Sequence, residues 1–199
     1  GHGYGRVVTG DDDLTRLALR AADGDRRAEE AFIARTMDDV WRYCAHAVGP
    51  AQADDATQAT YLRALRALPN FRGESSPRTW LIGVARNTCL DERRSLARRI
   101  DLMDRISAQP LDDLDHGHRP PGTLETEELL DALDADRREA FVLTQILGFS
   151  YEEAAGLAGC PVGTIRSRVA RARADLLVQL RSGDTDADAA RRPRSRDTA

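Results

Sequence analysis

The stretch SYEEAAGLAGCPVGTIRSRVARAR, from Ser150 to Arg173, has the form of two short helices joined by a tight turn. Ser150 and Glu153 have the spacing of a capping box, which predicts the start of the first helix. The letters AGC turn the chain, and Pro161 is predicted to occupy the first position of the second helix. This arrangement predicts a helix-turn-helix.

The predicted second helix has an apolar side and a side of small residues flanked by arginines. At about 100° per residue, its apolar side collects Val162, Ile165, Val169, Ala172 and Leu176. The opposite side, here called the crest, carries Gly163, Ser167, Ala170 and Ala174, with Thr164 and Arg171 on one flank and Arg166 on the other.

A helix with such a crest can lie deep in the major groove of DNA while its arginines reach guanine edges and phosphates. Gly163 costs about 1 kcal/mol against alanine inside a helix, and we interpret it as a residue that keeps the crest close to DNA. A solvated basic helix is the alternative, but the capped first helix and the short turn favour DNA. The candidate DNA contacts are Gly163, Thr164, Arg166, Ser167, Arg168, Ala170 and Arg171.

Charge is segregated along the chain, although the net charge of the 199 residues is −4. Residues 72–99 hold seven arginines and three acidic residues, about +4, whereas residues 101–122 hold five aspartates and two arginines, about −3. Basic patches of this kind bind nucleic acid locally while the whole protein stays acidic.

Helical periodicity dominates, and no strand pattern interrupts it. The prediction is an all-α protein with two small helical domains on a flexible linker, the C-terminal one a helix-turn-helix. Its parts are an N-terminal domain at 10–99, an acidic linker rich in Pro, Gly and Asp at 100–123, a C-terminal domain at 124–182, and a disordered tail at 183–199.

Two helices of the first domain can be predicted in more detail. On a helix from about Pro50 to Leu68, one stripe suits the core and consists of Thr57, Tyr61, Ala64, Leu65 and Leu68. Leu62 falls on the charged side, which indicates a protein-binding surface. Ser76 and Pro77 predict the start of the next helix, which we expect to continue to about Arg99.

Several classes of protein are not indicated. Cys44, Cys89 and Cys160 have no spacing of a zinc site or a disulfide framework, so we expect three buried thiols and no metal or cofactor. No cluster of residues supports an enzyme. No signal peptide or apolar run of about 20 residues is visible, which predicts a soluble, cytoplasmic protein without membrane insertion.

Two long stretches resemble a known family. LDADRREAFVLTQILGFSYEEAAGLAGCPVGTIRSRVARARADL, residues 133–176, is similar to the C-terminal DNA-binding region of bacterial sigma factors of the extracytoplasmic-function (ECF) type, within the sigma-70 family. ADDATQATYLRALRALPNFRGESSPRTWLIGVARNTCLDERR, residues 53–94, resembles the family's first region, which binds core RNA polymerase and reads the minus-ten element.

The resemblance implies roles for particular residues. Core polymerase contacts, on the clamp helices of the beta-prime subunit, would be Asp54, Asp55, Gln58 and Leu62, while Ala59 stands where the family usually has a glutamate. A pocket for a flipped minus-ten base would be formed by Phe71, Arg72, Gly73, Glu74, Ser75 and Ser76, with Trp80 and Asn87 on the following helix. For Trp80 a purely core role is the alternative.

The function that follows is recruitment of core RNA polymerase to promoters with particular minus-ten and minus-thirty-five elements. The resemblance implies the beta-prime clamp helices, the beta flap and promoter DNA as partners, and an anti-sigma factor as a regulator. Two alternatives stay open at this point: a helix-turn-helix regulator that acts without core polymerase, and a helical scaffold or interaction protein.

Overall fold

The computed structural model describes the backbone of residues 9–106 and 129–191 and the side chains of residues 12–100 and 129–181. Within these ranges the chain contains no strand and forms two compact units, a first unit that ends at Ile106 and a second unit that begins at Leu129. The predicted all-α fold with two helical domains is confirmed.

Seven helices make up most of the described residues. They are α1 (Thr9–Ala22), α2 (Arg26–Val48), α3 (Pro50–Ala67), α4 (Pro77–Ile106), α5 (Ala135–Phe141), α6 (Tyr151–Ala158) and α7 (Val162–Arg191). A 3-10 turn at Leu68–Asn70 follows α3, and a π-helical turn at Val142–Ile146 follows α5.

Local chemistry explains where the helices of the first unit begin. The Asp25 carboxylate accepts the N–H groups of Arg27 and Ala28, at 3.0 and 3.1 Å, and so caps α2. Gly49 separates α2 from α3 with φ of +88°, a conformation that a side chain would strain. Before α4, the Ser76 hydroxyl accepts the N–H of Thr79 at 3.1 Å, as the predicted cap requires.

The core of the first unit lies among α2, α3 and α4, and α1 covers α2. Its largest fully buried side chains include Phe32, Val40, Leu68, Leu81 and Ile82. The predicted stripe on α3 is buried at Thr57, Tyr61, Ala64 and Leu68, and Leu65 is half-buried.

One buried polar pair joins α2 to α3. The hydroxyl oxygens of Thr36 and Tyr61 lie 2.8 Å apart, and Thr36 also donates to the Phe32 carbonyl at 2.8 Å. Burial raises the pKa of Tyr61 to about 12, so its hydroxyl stays protonated and can keep this bond.

The second unit is built around a small cluster of Leu130, Leu133 and Ala172, with Phe141, Ile146 and Leu176 packed against it. Ile165 and Val169 of α7 are also buried, at 0% and 1% exposure. The apolar side predicted for this helix is therefore its core side.

Two helices extend beyond their predicted ends. α4 continues to Ile106, past Arg99, so residues 100–106 of the predicted linker are helical. α7 continues to Arg191, so residues 183–191 of the predicted disordered tail are helical as well. No proline interrupts either continuation, and the next proline after α7 is Pro193. Residues 107–123 and 192–199 of these predictions lie outside the described residues.

Candidate functional site

The helix-turn-helix has the predicted capping box. The N–H of Ser150 donates to the Glu153 carboxylate at 2.8 Å, and the N–H of Glu153 donates to the Ser150 hydroxyl at 3.1 Å. Gly159 ends α6 in the left-handed conformation, with φ of +65°. Pro161 differs from its prediction by one position, because α7 begins at Val162 and the Pro161 carbonyl accepts the N–H of Thr164 at 2.9 Å.

The exposed side of α7 matches the predicted crest. Its exposed members are Gly163, Arg166, Ser167, Ala170, Arg171 and Ala174, and Thr164 is half-buried. Contact of these residues with DNA stays a prediction.

Neither backbone conformation nor packing within the described residues requires a glycine at position 163. A Cβ placed there would meet no heavy atom within 4 Å, and the backbone angle φ lies outside the left-handed region. Gly156 of α6 is equally open and also exposed.

Arg168 differs from the other candidate DNA contacts. Its guanidinium is hydrogen-bonded to the Asp136 carboxylate on α5 and lies 3.6 Å from the Cys160 sulfur. Arg137 of α5 bonds Asp175 of α7 at 2.7 Å in a similar way. Arg168 thus ties α7 to its own unit, a role that a helical wheel does not reveal because the partner lies on another helix.

The loop before α4 contains both exposed and buried residues. The side chains of Arg72, Glu74 and Ser75 are exposed, and Gly73 is exposed with φ of +74°. Phe71, in contrast, is only 8% exposed. Its ring packs inward, since burial of an aromatic ring is favourable.

Trp80 and Asn87 lie on α4 directly after this loop. The Trp80 ring is half-buried, and its centroid lies 5.3 Å from that of Phe71. Asn87 is exposed, two turns further along the helix. The Trp80 ring therefore packs against Phe71 and also reaches the surface. This position is compatible both with a core role and with contact to a minus-ten base.

An apolar groove of about 390 Å³ runs between α2 and α3. It is lined by Ile33, Met37, Trp41, Asp54, Thr57, Gln58, Tyr61, Leu62 and Leu65. Three of the four predicted polymerase contacts therefore lie along one groove, and Asp55 is exposed next to it. Leu62 is 53% exposed at its edge.

The α2 side of this groove was not predicted. Val40 is 0% exposed, whereas its neighbour Trp41 is 37% exposed. The indole N–H of Trp41 donates to the Asp54 carboxylate at 2.8 Å. Met37, one turn earlier, is 39% exposed. Met37 and Trp41 are four positions apart and so lie on one face of α2. This spacing is the sequence signal that could have predicted the α2 side of the groove.

The described residues include neither a metal-binding cluster nor a membrane-spanning helix. In 12–100 and 129–181 no three His, Cys, Asp or Glu side chains come together in a way that could hold a metal ion. Among the helices of residues 9–106 and 129–191, none combines the length and the hydropathy that a membrane span needs.

Two parts of the chain match models of protein families. Residues 32–99 match Sigma-70 region 2, and residues 123–176 match Sigma-70, region 4. The ECF RNA polymerase sigma factor SigC of Mycobacterium tuberculosis (strain CDC 1551) is 46% identical over 179 residues, which cover 89% of this chain and 97% of SigC. This chain belongs to the ECF sigma factors of the sigma-70 family.

More distant members support the same assignment. The ECF RNA polymerase sigma-E factor of Escherichia coli K12 is 32% identical to this sigma factor over 170 residues, which cover 79% of this chain and 88% of that protein. A sigma factor directs RNA polymerase to promoters, so a regulator without polymerase and a helical scaffold are not favoured.

Two solved structures resemble this sigma factor. One is the sigma factor RpoE with the anti-sigma factor NepR from Bartonella quintana, with a TM-score of 0.66, 27% identity, and coverage of 76% of this chain and 96% of that one. The other is CnrH with the cytosolic domain of CnrY, with a TM-score of 0.64, 29% identity, and coverage of 85% and 98%.

Proposed function

We propose that this sigma factor initiates transcription through three surfaces, which bind the minus-thirty-five element, the minus-ten element and core polymerase. The crest of α7 reads the minus-thirty-five element, the loop before α4 captures a minus-ten base, and the α2–α3 groove holds core polymerase. The observation that carries the proposal is the crest itself, because its small residues and both flanking arginines are exposed and a side chain at position 163 would meet no atom of the unit.

On the crest, Arg166 and Arg171 are the candidates for base contacts. Both are exposed on either flank of a row of small side chains, so their guanidinium groups can extend toward base edges. Ser167 and Thr164 are short enough to approach the same groove. Arg168 is left out of this set, because its guanidinium already binds Asp136.

For the minus-ten element we propose Arg72, Glu74, Ser75 and Asn87 as the residues that meet the extruded base and its backbone. They are exposed around the half-buried Trp80, whose ring offers a surface for stacking. Phe71 packs against that ring and so holds it in position, and we do not propose that Phe71 itself contacts the base.

For core polymerase we propose the groove between α2 and α3, including Met37 and Trp41 on its α2 side. An apolar groove with exposed Leu62 at its edge and Asp55 beside it suits a helix that carries both apolar and basic side chains. For this groove the family implies the clamp helices of the beta-prime subunit as the partner. The beta flap is a second proposed contact with polymerase, and we assign it no surface.

An anti-sigma factor is a further proposed partner, because one of the similar solved structures is of a sigma factor bound to an anti-sigma factor. It would compete with polymerase for exposed apolar surface in the first unit. We further propose that the protein works in the cytoplasm, where polymerase is found, and that it acts by binding and catalyses no reaction.

Transcription in vitro tests this function. The full chain and purified core polymerase should initiate at a promoter selected from randomised templates, with no other sigma factor present. Initiation only when a second sigma factor is added would mean that the protein is a regulator. The absence of any initiation on all selected templates would contradict the proposal altogether.

Replacing Asp55 and Gln58 together by alanine is expected to weaken core polymerase binding by about 1–2 kcal/mol, roughly 5- to 30-fold in Kd. Both side chains are exposed at the groove, and neither contributes to the buried stripe of α3. Competition against a labelled sigma factor measures the change. Gln52→Ala, exposed on the same helix outside the groove, is the matched control. Unchanged affinity in the double variant would refute the docking surface.

Gly163→Ala is expected to stabilise the second unit by up to about 1 kcal/mol, because alanine has the higher helix propensity and the space is open. Gly156→Ala is the matched control, with the same expected gain in thermal melts. Gly163→Leu should instead weaken promoter binding, since its side chain would hold the crest away from DNA. A destabilised Gly163→Ala, or a leucine variant that binds normally, contradicts the role given to this glycine.

A further inference from the structure

Two of the three cysteines meet in the core of the first unit. The Sγ atoms of Cys44 on α2 and Cys89 on α4 lie 3.7 Å apart, and the two side chains are 0% and 2% exposed. They stand 45 positions apart in the sequence, so only the packing of α2 on α4 brings them together. Neither is among the residues proposed to bind polymerase or DNA.

We propose that a hydroperoxide converts Cys44 and Cys89 into a reversible disulfide, which ties α2 to α4 beneath the exposed surfaces of the first unit. Such bonds are rare in reducing compartments, where they are mostly transient and responsive to oxidants. The pair would therefore act as a covalent clamp that forms under oxidising conditions and is removed by thiols.

The chemistry needs one hydroperoxide for each pair of thiols. The Cys44 thiolate attacks an oxygen of the hydroperoxide, an S–O bond forms, the O–O bond breaks, and the departing alkoxide or hydroxide takes a proton. The Cys89 sulfur then attacks the sulfur of the Cys44 sulfenic acid, so that an S–S bond forms and water leaves with the thiol proton. The two thiols lose two electrons in total, and the hydroperoxide gains them.

The hydrogen bond between the two sulfurs distinguishes their roles. Cys89 donates its S–H to the Cys44 sulfur, and this bond lowers the pKa of Cys44. The same bond, together with burial, raises the pKa of Cys89. Cys44 is therefore the sulfur that reacts first, since the thiolate is the nucleophile, and Cys89 is the resolving thiol.

The α2–α3 groove is the approach that the proposal assigns to the oxidant, because one residue of its lining is next to Cys44. The side chain of Thr57 faces the Cys44 thiol and also lines the groove. Hydrogen peroxide is the hydroperoxide that suits this position, because both sulfurs are buried and a large oxidant could not reach them.

Mass spectrometry of the full chain tests the bond directly. After hydrogen peroxide treatment and alkylation under denaturing conditions, cleavage after arginine releases Cys44 in residues 43–63 and Cys89 in residues 87–93. We expect these two peptides to be joined, two hydrogens lighter than their sum, and to separate with dithiothreitol. Cys160→Ser should give the same product at the same rate, because Cys160 lies in the second unit.

The oxidised protein should also melt at a higher temperature, by roughly 10 °C or more, since the bond closes a loop of about 45 residues. Cys89→Ala lacks the S–H donor to Cys44, so oxidation of Cys44 should be slower and stop at the sulfenic acid, which dimedone labels when it is added together with urea. Formation of the bond only in urea, oxidation of Cys160 alone, or a lower melting temperature after oxidation would each overturn the proposal. The peptide measurement on the unsubstituted chain decides the question even if Cys89→Ala fails to fold.

Discussion

Replacing Ile165 by alanine is expected to destabilise the second unit by about 2–5 kcal/mol. Ile165 is 0% exposed and lies on the core side of α7, so its removal leaves a cavity that the unit has few other side chains to fill. A helical unit of this size has little stability in reserve. We therefore expect the variant to be largely unfolded in this unit at 37 °C, and to have lost promoter binding.

Urea titration followed by hydrogen exchange of peptides from residues 129–181 measures this loss in the full chain. Val178→Ala is the matched control, because Val178 is on the same helix and 63% exposed. Its cost should stay within about 0.5 kcal/mol. If the same peptides in Ile165→Ala were as protected as in the unsubstituted chain, Ile165 would not be a stabilising core residue of the second unit.

Arg166→Ala and Arg171→Ala are each expected to weaken recognition of the minus-thirty-five element by about 1–3 kcal/mol. Together they should cost the complex about 2–6 kcal/mol, roughly 30-fold or more in affinity, since the two arginines are on opposite flanks of the crest. Affinity for core polymerase should not change, because the proposed groove belongs to the first unit.

The measurement is titration of the sigma–polymerase complex with promoter duplexes that carry a selected or a scrambled minus-thirty-five element. Arg173→Ala removes the same charge from the same helix and is the control, because its guanidinium binds Gln145 at 2.6 Å. That variant should lose little, and equally on both duplexes. Equal losses on both duplexes for Arg166→Ala and Arg171→Ala would assign these arginines to phosphate and not to bases.

The parts of the fold that depend on local chemistry were predictable. The capping box of Ser150 and Glu153 and the cap at Ser76 are both present, because each needs only residues three positions apart. The faces of α3 and α7 followed from helical periodicity, since a two-sided pattern specifies which side is buried.

What depends on neighbours distant in sequence was not predictable. Arg168 is occupied by Asp136, 32 positions away, and Cys44 meets Cys89 across two helices. The ring of Phe71 packs against that of Trp80 on the following helix. None of these pairs leaves a local pattern, because each is made by packing between elements and not within one.

Trp41 and Trp80 are the only two tryptophans of the chain, and they stand at two different proposed binding surfaces. Indole fluorescence responds to the polarity around the ring, and both rings are partly exposed. In a Trp80→Phe variant, Trp41 is the remaining tryptophan, and its emission would report binding in the groove. In a Trp41→Phe variant, the emission of Trp80 would report the binding of an unpaired base. The order in which polymerase and promoter engage the first unit could then be timed in a stopped-flow instrument, without attaching a dye.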